Sequence, residues 1–459
     1  MESILSTIFY YVLIPLAVLG IAVNIHEFGH FMIAKLFGMR VEAYSFFGLG
    51  PRVWGFKRGH TDYRISAIPL GAYVKLYGDE ATAALEGGES GGEQVPEKEL
   101  YELRPRWQKF LVMLGGPFMN IVLALAIPFG MALVQGIPAT TAPVVESVKA
   151  DGSAATAGIK PGDRIVSFNG IESPTWHQIE IQAGINPGNP LPATVERSGS
   201  KIDLVVTPTK RIIFGQQAGD IEADPDPGIV PVVVGEVSPN TPAEEAGLKA
   251  GDRIVSINGE RVRSIAQSKE LVENNKAAPI NIVIERNGQL QNVTASVRML
   301  DDGTERLGFA FSPAQLPLES ATIASATAYA FNTNIENLQA TASVLGQVFK
   351  GKRSVKDSGI GGPVGIFQQS AQATKVMGAT GFFLILGLIS LSLGVFNLLP
   401  IPLLDGGQIL VLAIEKIMSW FGKTLSMVAR ERIQLTGLAI VLLLMVTVIF
   451  FDVSRLVGR

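Results

Sequence analysis

The first feature of the chain is the spacing of its apolar runs. A membrane-spanning helix needs about 20 mostly apolar residues. Four stretches meet that length: residues 4–36, 109–134, 378–399 and 436–451. The first stretch has no basic segment before it and no clean small-residue cleavage site, which favours a retained helix over a removed signal peptide. The pattern therefore predicts four transmembrane helices.

Between the second and third runs lies a polar segment, residues 137–373, which contains a repeat. S-A-A-T-A-G-I-K-P-G-D-R-I-V-S-F-N-G (153–170) returns as P-A-E-E-A-G-L-K-A-G-D-R-I-V-S-I-N-G (242–259), with an offset of 247 − 158 = 89 residues. An offset this long indicates two copies of one small α+β domain. Each copy predicts a strand, a short helix capped at Ala-Gly, the strand Arg-Ile-Val-Ser and an Asn-Gly turn.

The repeated pattern resembles bacterial PDZ domains, which bind extended peptides or free carboxyl termini by adding a strand to a sheet edge. The best match to a carboxylate-binding loop is R-L-G-F-A-F (306–311), at the end of the second copy, which implies a circularly permuted order. R-I-I-F-G-Q (211–216) is a poorer match in the first copy. The domains are expected at 137–215 and 228–315. The alternative is that they are compact spacers without a ligand.

Two further segments complete the organisation. Residues 321–352 show apolar positions at helical spacing and a polar face of Asn, Gln and Glu, which predicts a helix on the membrane surface or packed on the second repeat. This helix belongs to a segment, residues 316–373, that is expected to contain amphipathic membrane-surface helices and a loop. The last segment, residues 374–459, is expected to contain the third transmembrane helix, a cytoplasmic loop and the fourth transmembrane helix. A low-complexity stretch at 81–94 is expected to be flexible.

Composition and charge agree with a membrane protein and set its orientation. The mean hydropathy is +0.31 and only 17% of residues are charged. Lysines and arginines cluster in the loops at 35–109 and 416–432, so both loops are expected in the cytoplasm and both termini and the repeats outside. The net charge of −3 gives no support for nucleic-acid binding. The absence of cysteine excludes disulfides, thiolate metal sites and cysteine nucleophiles.

Polar residues interrupt the first apolar run. His26, Glu27 and His30 form H-E-x-x-H. Positions i and i+4 of a helix share one face, so both imidazoles can bind one zinc ion, and the glutamate beside the first ligand can accept a proton from water. Ionisable residues inside a span are costly, which makes this a functional hypothesis.

A zinc hydrolase uses three protein ligands and one open position. The remaining histidines, His60 and His177, lie in the cytoplasmic loop and in the first repeat, where neither fits. Asp405 lies in N-L-L-P-I-P-L-L-D-G-G-Q (397–408), where prolines end the third run and glycines permit a tight backbone. Both motifs are expected near the cytoplasmic ends of their helices, so Asp405 is the candidate third ligand.

This combination of motifs resembles the site-2 protease family of intramembrane zinc metalloproteases. The resemblance covers nearly the whole sequence and includes, in the family's order, H-E-F-G-H (26–30), F-G-L-G-P (47–51), I-P-L-G-A-Y-V-K (68–75), R-P-R-W-Q-K-F-L-V-M-L-G-G-P-F-M-N (104–120), G-G-P-V-G-I (361–366) and N-L-L-P-I-P-L-L-D-G-G (397–407). Two positions depart from the family pattern: Gln408 stands where histidine is common, and Ala72 where glycine is common. Neither is a proposed ligand.

The resemblance implies roles for individual residues. His26, His30 and Asp405 would be the ligands of Zn2+, with Glu27 as the catalytic base. Asn397 would hold substrate or stabilise the oxyanion, and the alternative for it is an interhelical hydrogen bond. Asn120 is expected to serve in packing, and residues 41–75 are expected to contain a membrane re-entrant β-hairpin that pairs with an unwound substrate strand.

The expected fold is thus a polytopic α-helical membrane protein with four transmembrane helices, a re-entrant β-hairpin and two extracytoplasmic, circularly permuted PDZ-like α+β domains. The resemblance implies a monomer in the bilayer of the bacterial inner membrane that cleaves transmembrane segments of single-pass proteins, with a pre-trimmed anti-sigma factor and signal-peptide remnants as substrates. The PDZ pair would act as a periplasmic size filter, and both termini would be periplasmic.

Two other functions remain open from the residues. A membrane-anchored PDZ scaffold or chaperone would hold a structural metal, and a fourth protein ligand would favour it. A metal transporter would use the intramembrane histidines as a relay, although that function leaves the repeated domains without a role.

Overall fold

The structure is a computed structural model and describes residues 4–68, 71–78, 95–138, 143–213, 216–225, 232–262, 265–275, 279–299, 305–311, 318–351, 353, 362–422 and 425–457. The low-complexity stretch 81–94, the extreme termini and the predicted repeat limits at 215, 228 and 315 lie outside these residues. The protein forms two compact units, residues 1–134 with 322–459 and residues 135–321.

The short helices of the repeats lie in sequence between two groups of longer helices. In chain order they are α1 (Ile4–Leu36, π-helical at Phe9–Leu13), α2 (Arg106–Gln135), α3 (Ser153–Thr156), α4 (Trp176–Gly184), α5 (Pro242–Glu245), α6 (Ile265–Asn274), α7 (Ile323–Phe349), α8 (Pro363–Met377), α9 (Ala379–Asn397), α10 (Asp405–Trp420) and α11 (Met427–Val457).

The strands fall into one group before α2 and a larger group in the second unit. They are β1 (Val41–Phe47), β2 (Leu49–Arg58), β3 (Thr61–Ile68), β4 (Tyr73–Leu76), β5 (Ile137–Pro138), β6 (Val145–Val148), β7 (Arg164–Phe168), β8 (Ile171–Glu172), β9 (Leu191–Arg197), β10 (Ser200–Val206), β11 (Thr209–Ile213), β12 (Gln216–Asp220), β13 (Ala223–Pro225), β14 (Val232–Val237), β15 (Arg253–Ile257), β16 (Glu260–Arg261), β17 (Ile280–Arg286), β18 (Gln289–Ala295), β19 (Arg298–Met299), β20 (Glu305–Arg306), β21 (Phe309–Phe311) and β22 (Leu318–Glu319).

Among the described residues, four helical segments are long and apolar enough to cross a membrane: Ile4–Leu36, Arg106–Gln135, Ala379–Asn397 and Arg432–Phe450. They coincide with the four predicted runs, so the protein has the helices of a polytopic membrane protein. Their outward faces keep large apolar side chains exposed, as at Phe118, Leu443 and Phe450. Exposed apolar surface of this extent is typical of contact with lipid.

The strands between α1 and α2 form a four-stranded sheet rather than a lone hairpin. The order is β2-β3-β1-β4, with β2–β3 and β1–β4 antiparallel and β1–β3 parallel. The predicted hairpin region, residues 41–75, thus contains several paired strands, and β2 is an edge strand with exposed Val53 and Trp54. Ala72 is buried just before β4.

The repeat seen in the sequence returns as a repeat of tertiary contacts. In the first copy the guanidinium of Arg197 donates to both carboxylate oxygens of Asp163 and to Gly158 O. In the second copy Arg286 makes the same bonds to Asp252 and to Gly247 O. Burial raises the pKa of each aspartate, but the bonds from the guanidinium outweigh burial and hold that pKa below its ordinary value. Each copy packs its own apolar core.

Helix α7 packs with the apolar helices. It belongs to the unit of the apolar helices rather than to the unit of the repeats, and the side chain of Asn334 is buried and donates to Ala124 O of α2 at 3.1 Å. One asparagine of its polar face therefore contacts a neighbouring helix. The physical reason is that a buried carbonyl offers an amide a hydrogen bond where solvent is excluded.

Candidate metal centre

The buried side of α1 carries the polar residues of the H-E-x-x-H motif. Its buried residues include both histidines: Pro15, Val18, Gly20, Ala22, His26, Gly29, His30 and Ala34. His26 and His30 are 6% and 9% exposed as whole residues. The first span therefore turns its ionisable groups towards other helices, which avoids the cost of exposing them to lipid.

The two imidazoles meet the carboxylate of Asp405, the predicted third ligand. Nε2 of His26 lies 3.1 Å from Nε2 of His30 and 3.1 Å from Oδ2 of Asp405. Nε2 of His30 lies 3.5 Å from Oδ1 of Asp405. In a tetrahedral zinc site with ligand bonds of about 2.0–2.1 Å, ligand atoms are separated by about 3.3 Å. The two nitrogens and one carboxylate thus fit Zn2+ in both chemistry and spacing.

Asp405 reaches this position because the backbone turns sharply after α9. Leu403 adopts a φ of 108°, a conformation that costs a non-glycine residue energy. Gly406 and Gly407 then approach the turn so closely that a Cβ would lie 2.2 Å from Leu398 O and 2.1 Å from Ile401 O respectively. The prolines and glycines around Asp405 therefore act as predicted, and Asp405 begins helix α10. Gln408 lies one turn further into α10.

Close packing of α1 against α2 holds the imidazoles in place. A Cβ on Gly29 would lie 2.1 Å from Gly115 O, so the two backbones touch. A Cβ on Gly116 would lie 2.4 Å from Nε2 of His30. The Nδ1–H of His30 donates to Val112 O at 2.7 Å, which leaves Nε2 free for a metal ion.

Glu27 connects the site to the β-sheet. The ligand atoms of His26, Glu27 and His30 lie within 4.8 Å of one another. The backbone N–H of Val74 in β4 donates to the Glu27 carboxylate. One turn earlier, Asn24 accepts a hydrogen bond from the Tyr44 hydroxyl of β1 at 2.5 Å. Polar residues of α1 therefore hold both β1 and β4 beside the candidate base.

Two asparagines also reach His26. Nδ2 of Asn397, the last residue of α9, lies 3.4 Å from Nε2 of His26. Nδ2 of Asn120 lies 3.2 Å from Nδ1 of the same ring. Asn397 was expected near the chemistry. Asn120 was expected only in packing, although a polar residue in an apolar span is itself a signal of function.

The strand pairing of the first repeat continues beyond the predicted loop R-I-I-F-G-Q. R-I-I ends β11 and Gln216 begins β12, which pair antiparallel, and residues 214–215 lie outside the described residues. The strand that pairs with β6 is β13, so the first repeat extends to Pro225. Backbone bonds fix the equivalence: Ala154 N donates to Ile221 O as Ala243 N donates to Leu307 O. The segment of the first copy that corresponds to R-L-G-F-A-F therefore ends in β13, and the predicted repeat limits stay predictions.

The two loops differ chemically once they are aligned. Lys149 N donates to Glu222 O, as Ser238 N donates to Gly308 O, so Glu222 occupies the position of Gly308. Hydrogen bonds from Lys149 Nζ and Thr209 Oγ1 lower the pKa of Glu222 from 4.5 to about 2. Both β13 and β21 end their sheets among the described strands.

Known proteins are similar to this one along nearly its whole length. The profile of peptidase family M50 matches residues 14–444. The Regulator of sigma-E protease RseP of Escherichia coli (strain K12) is 31% identical over 460 residues, which span 95% of this protein and 97% of that one. The Regulator of sigma E protease of Salmonella typhi is 30% identical over 459 residues, and Protease RseP of Yersinia pestis is 32% identical over 467 residues; each match spans 95% of this protein and 97% of the relative.

Proposed function

Because this protein belongs to peptidase family M50, the site-2 protease family, we propose that His26, Glu27, His30 and Asp405 form the zinc centre of an intramembrane endopeptidase. The observation that supports this proposal is the meeting of two histidines from α1 with a carboxylate 379 residues after the first of them (405 − 26 = 379). The scissile bond would lie within the transmembrane segment of a single-pass membrane protein.

Each residue has a distinct task in this proposal. His26, His30 and Asp405 hold the metal ion. Zinc, when bound, polarises the scissile carbonyl and makes water acidic enough to attack at neutral pH. Glu27 accepts the proton of that water and later delivers it to the leaving amine. The amide of Asn397 donates to the oxygen on which negative charge develops.

A substrate helix must unwind before its carbonyls are accessible, and the sheet supplies a partner for the extended peptide. The edge strand β2 exposes backbone hydrogen-bonding groups, and the other edge strand, β4, touches Glu27 through Val74. We place the sheet in the membrane as the re-entrant element, where pairing with an unwound strand would satisfy the backbone of both partners.

The second unit would carry two PDZ-like domains on the periplasmic side. In the first, Glu222 and Pro225 occupy the positions of Gly308 and Phe311 in the second. Proline has no N–H to donate to an added strand. Peptide binding therefore belongs to the second domain, and the pair would exclude substrates whose outer domain has not been trimmed.

The protein would work as a monomer in the bacterial inner membrane, with both termini periplasmic and the zinc centre open to cytoplasmic water. Its relatives are named as regulators of sigma-E. A pre-trimmed anti-sigma factor is accordingly the proposed substrate, and signal-peptide remnants are a second class.

The test compares Glu27→Gln with Asp405→Asn, using zinc content and cleavage of a transmembrane test substrate in detergent on the same samples. Glu27→Gln should keep its zinc and lose cleavage by a factor of about 100 or more, because the amide cannot accept the proton. Asp405→Asn should lose both. Unchanged cleavage by Glu27→Gln would contradict the mechanism.

The same proteins also distinguish the proposed protease from the two other functions. A scaffold with a structural metal predicts zinc but no cleavage by the wild-type protein. A transporter predicts zinc flux into vesicles that carry either the wild-type protein or Glu27→Gln.

A further inference from the structure

Asn120 lies at a junction of three helices beside the zinc centre. Its side chain is fully buried in α2. Nδ2 lies 3.2 Å from Nδ1 of His26 in α1. The hydroxyl of Ser390 in α9 donates to Asn120 O at 2.9 Å and lies 3.3 Å from Oδ1. The amide is thus held in contact with the ring nitrogen of His26 that points away from Asp405.

A histidine that binds a metal through Nε2 must carry its proton on Nδ1, and that N–H requires an acceptor. His30 has such an acceptor in Val112 O. For His26, the side chain in contact with Nδ1 is that of Asn120. A rotation of the amide by 180° exchanges its nitrogen and oxygen without displacing other atoms. The Ser390 hydroxyl tolerates the rotation because it can donate or accept.

We propose that Asn120 is a positioning residue for zinc: its Oδ1 accepts the Nδ1–H of His26 and fixes the tautomer that presents Nε2 to the metal ion. This inference rests on the proposed zinc centre. An asparagine fits the role because it carries no charge into the membrane and still offers an acceptor, whereas an apolar residue of the same size offers none.

The test measures Zn2+ affinity by chelator competition on the full-length protein in detergent for Asn120→Leu and Asn120→Asp. Leucine removes the acceptor and should weaken zinc binding by about 10–100-fold. Aspartate restores an acceptor and should bind zinc within about threefold of wild type or more tightly. Cobalt-loaded samples provide a spectroscopic signature: the d–d bands of the aspartate variant should match wild type, and those of the leucine variant should shift or weaken.

Asn334→Leu is the matched control, because Asn334 is also a buried asparagine that bonds to α2. It should leave zinc affinity and the cobalt spectrum unchanged. The proposal is overturned if Asn120→Leu binds zinc as wild type does, if aspartate is as weak as leucine, or if Asn334→Leu loses as much affinity as Asn120→Leu. Failure of the zinc centre itself is a separate result, in which the wild type binds no zinc or Asp405→Asn binds it unchanged.

Discussion

Replacing Gly116 with alanine should remove zinc from the site while leaving the helices folded. The ideal Cβ at this position lies 2.4 Å from Nε2 and 2.7 Å from Cε1 of His30, and 2.8 Å from Cε1 of His26. Ordinary van der Waals contacts begin near 3.4 Å. The imidazole of His30 would therefore have to move by about 1 Å, or α2 would have to move away from α1.

Neither movement is compatible with the metal centre. The ring of His30 is held at Nδ1 by Val112 O and at Nε2 by Asp405, so it cannot shift by 1 Å and keep both contacts. Functional sites tolerate displacements of about 0.5 Å. Separation of the helices would break the backbone contact at Gly29. Loss of a ligand should weaken zinc binding by more than the roughly 10–100-fold typical of changes behind the ligands.

The assay measures zinc by chelator competition and cleavage of a transmembrane test substrate on the same preparation. Gly130→Ala is the control, since the Cβ of a residue there meets nothing within 4 Å. That variant should bind zinc and cleave as wild type does, because the added methyl group displaces no neighbouring atom. It should also keep the helix, since alanine favours a helix over glycine by about 1 kcal/mol. Wild-type zinc affinity and cleavage in Gly116→Ala would refute the packing argument.

Three further predictions concern other parts of the protein. Asn397→Ala should keep zinc and lower turnover by about 100-fold, since one oxyanion donor is lost; normal turnover with lower thermal stability would indicate an interhelical bond instead. Glu222 has a pKa lowered from 4.5 to about 2, so its stabilisation is complete above pH 4.5 and is lost as pH falls towards 2. The protection of the Val145–Val148 amides against hydrogen exchange, taken relative to the intrinsic exchange rate at each pH, should fall across that window in wild type but not in Glu222→Gln. Phe311→Pro should weaken binding of a peptide with a free, hydrophobic C-terminus to the full-length protein by about tenfold, as expected for one lost hydrogen bond. Pro225→Ala should leave that binding unchanged. Equal binding by both variants would exclude the second repeat as the peptide-binding domain.

Local patterns explain why much of the site could be predicted. The spacing of His26 and His30 places them on one face of any helix, because helical geometry brings i and i+4 together. The prolines and glycines beside Asp405 predict a turn for steric reasons that act within a few residues. The repeat offset likewise predicted the two domains before any contact was known.

The remaining features depend on which surfaces pack together. Asn120 contacts a ring 94 residues away, Asn334 bonds to a carbonyl 210 residues away, and the closing strand of the first repeat lies beyond the predicted loop. No periodicity encodes these partners, since side chains at distant positions meet only when helices approach closely enough to exclude water.

The sequence by itself determined the four apolar helices, the repeated domains and three candidate ligands with their base, because each depends on spacing that covalent geometry converts directly into a face or a turn. Tertiary structure alone decided which nitrogen of each imidazole is supported, why Gly116 has no side chain and which loop closes the first repeat. Those features follow from close packing between distant segments, where an ångström decides whether a hydrogen bond forms.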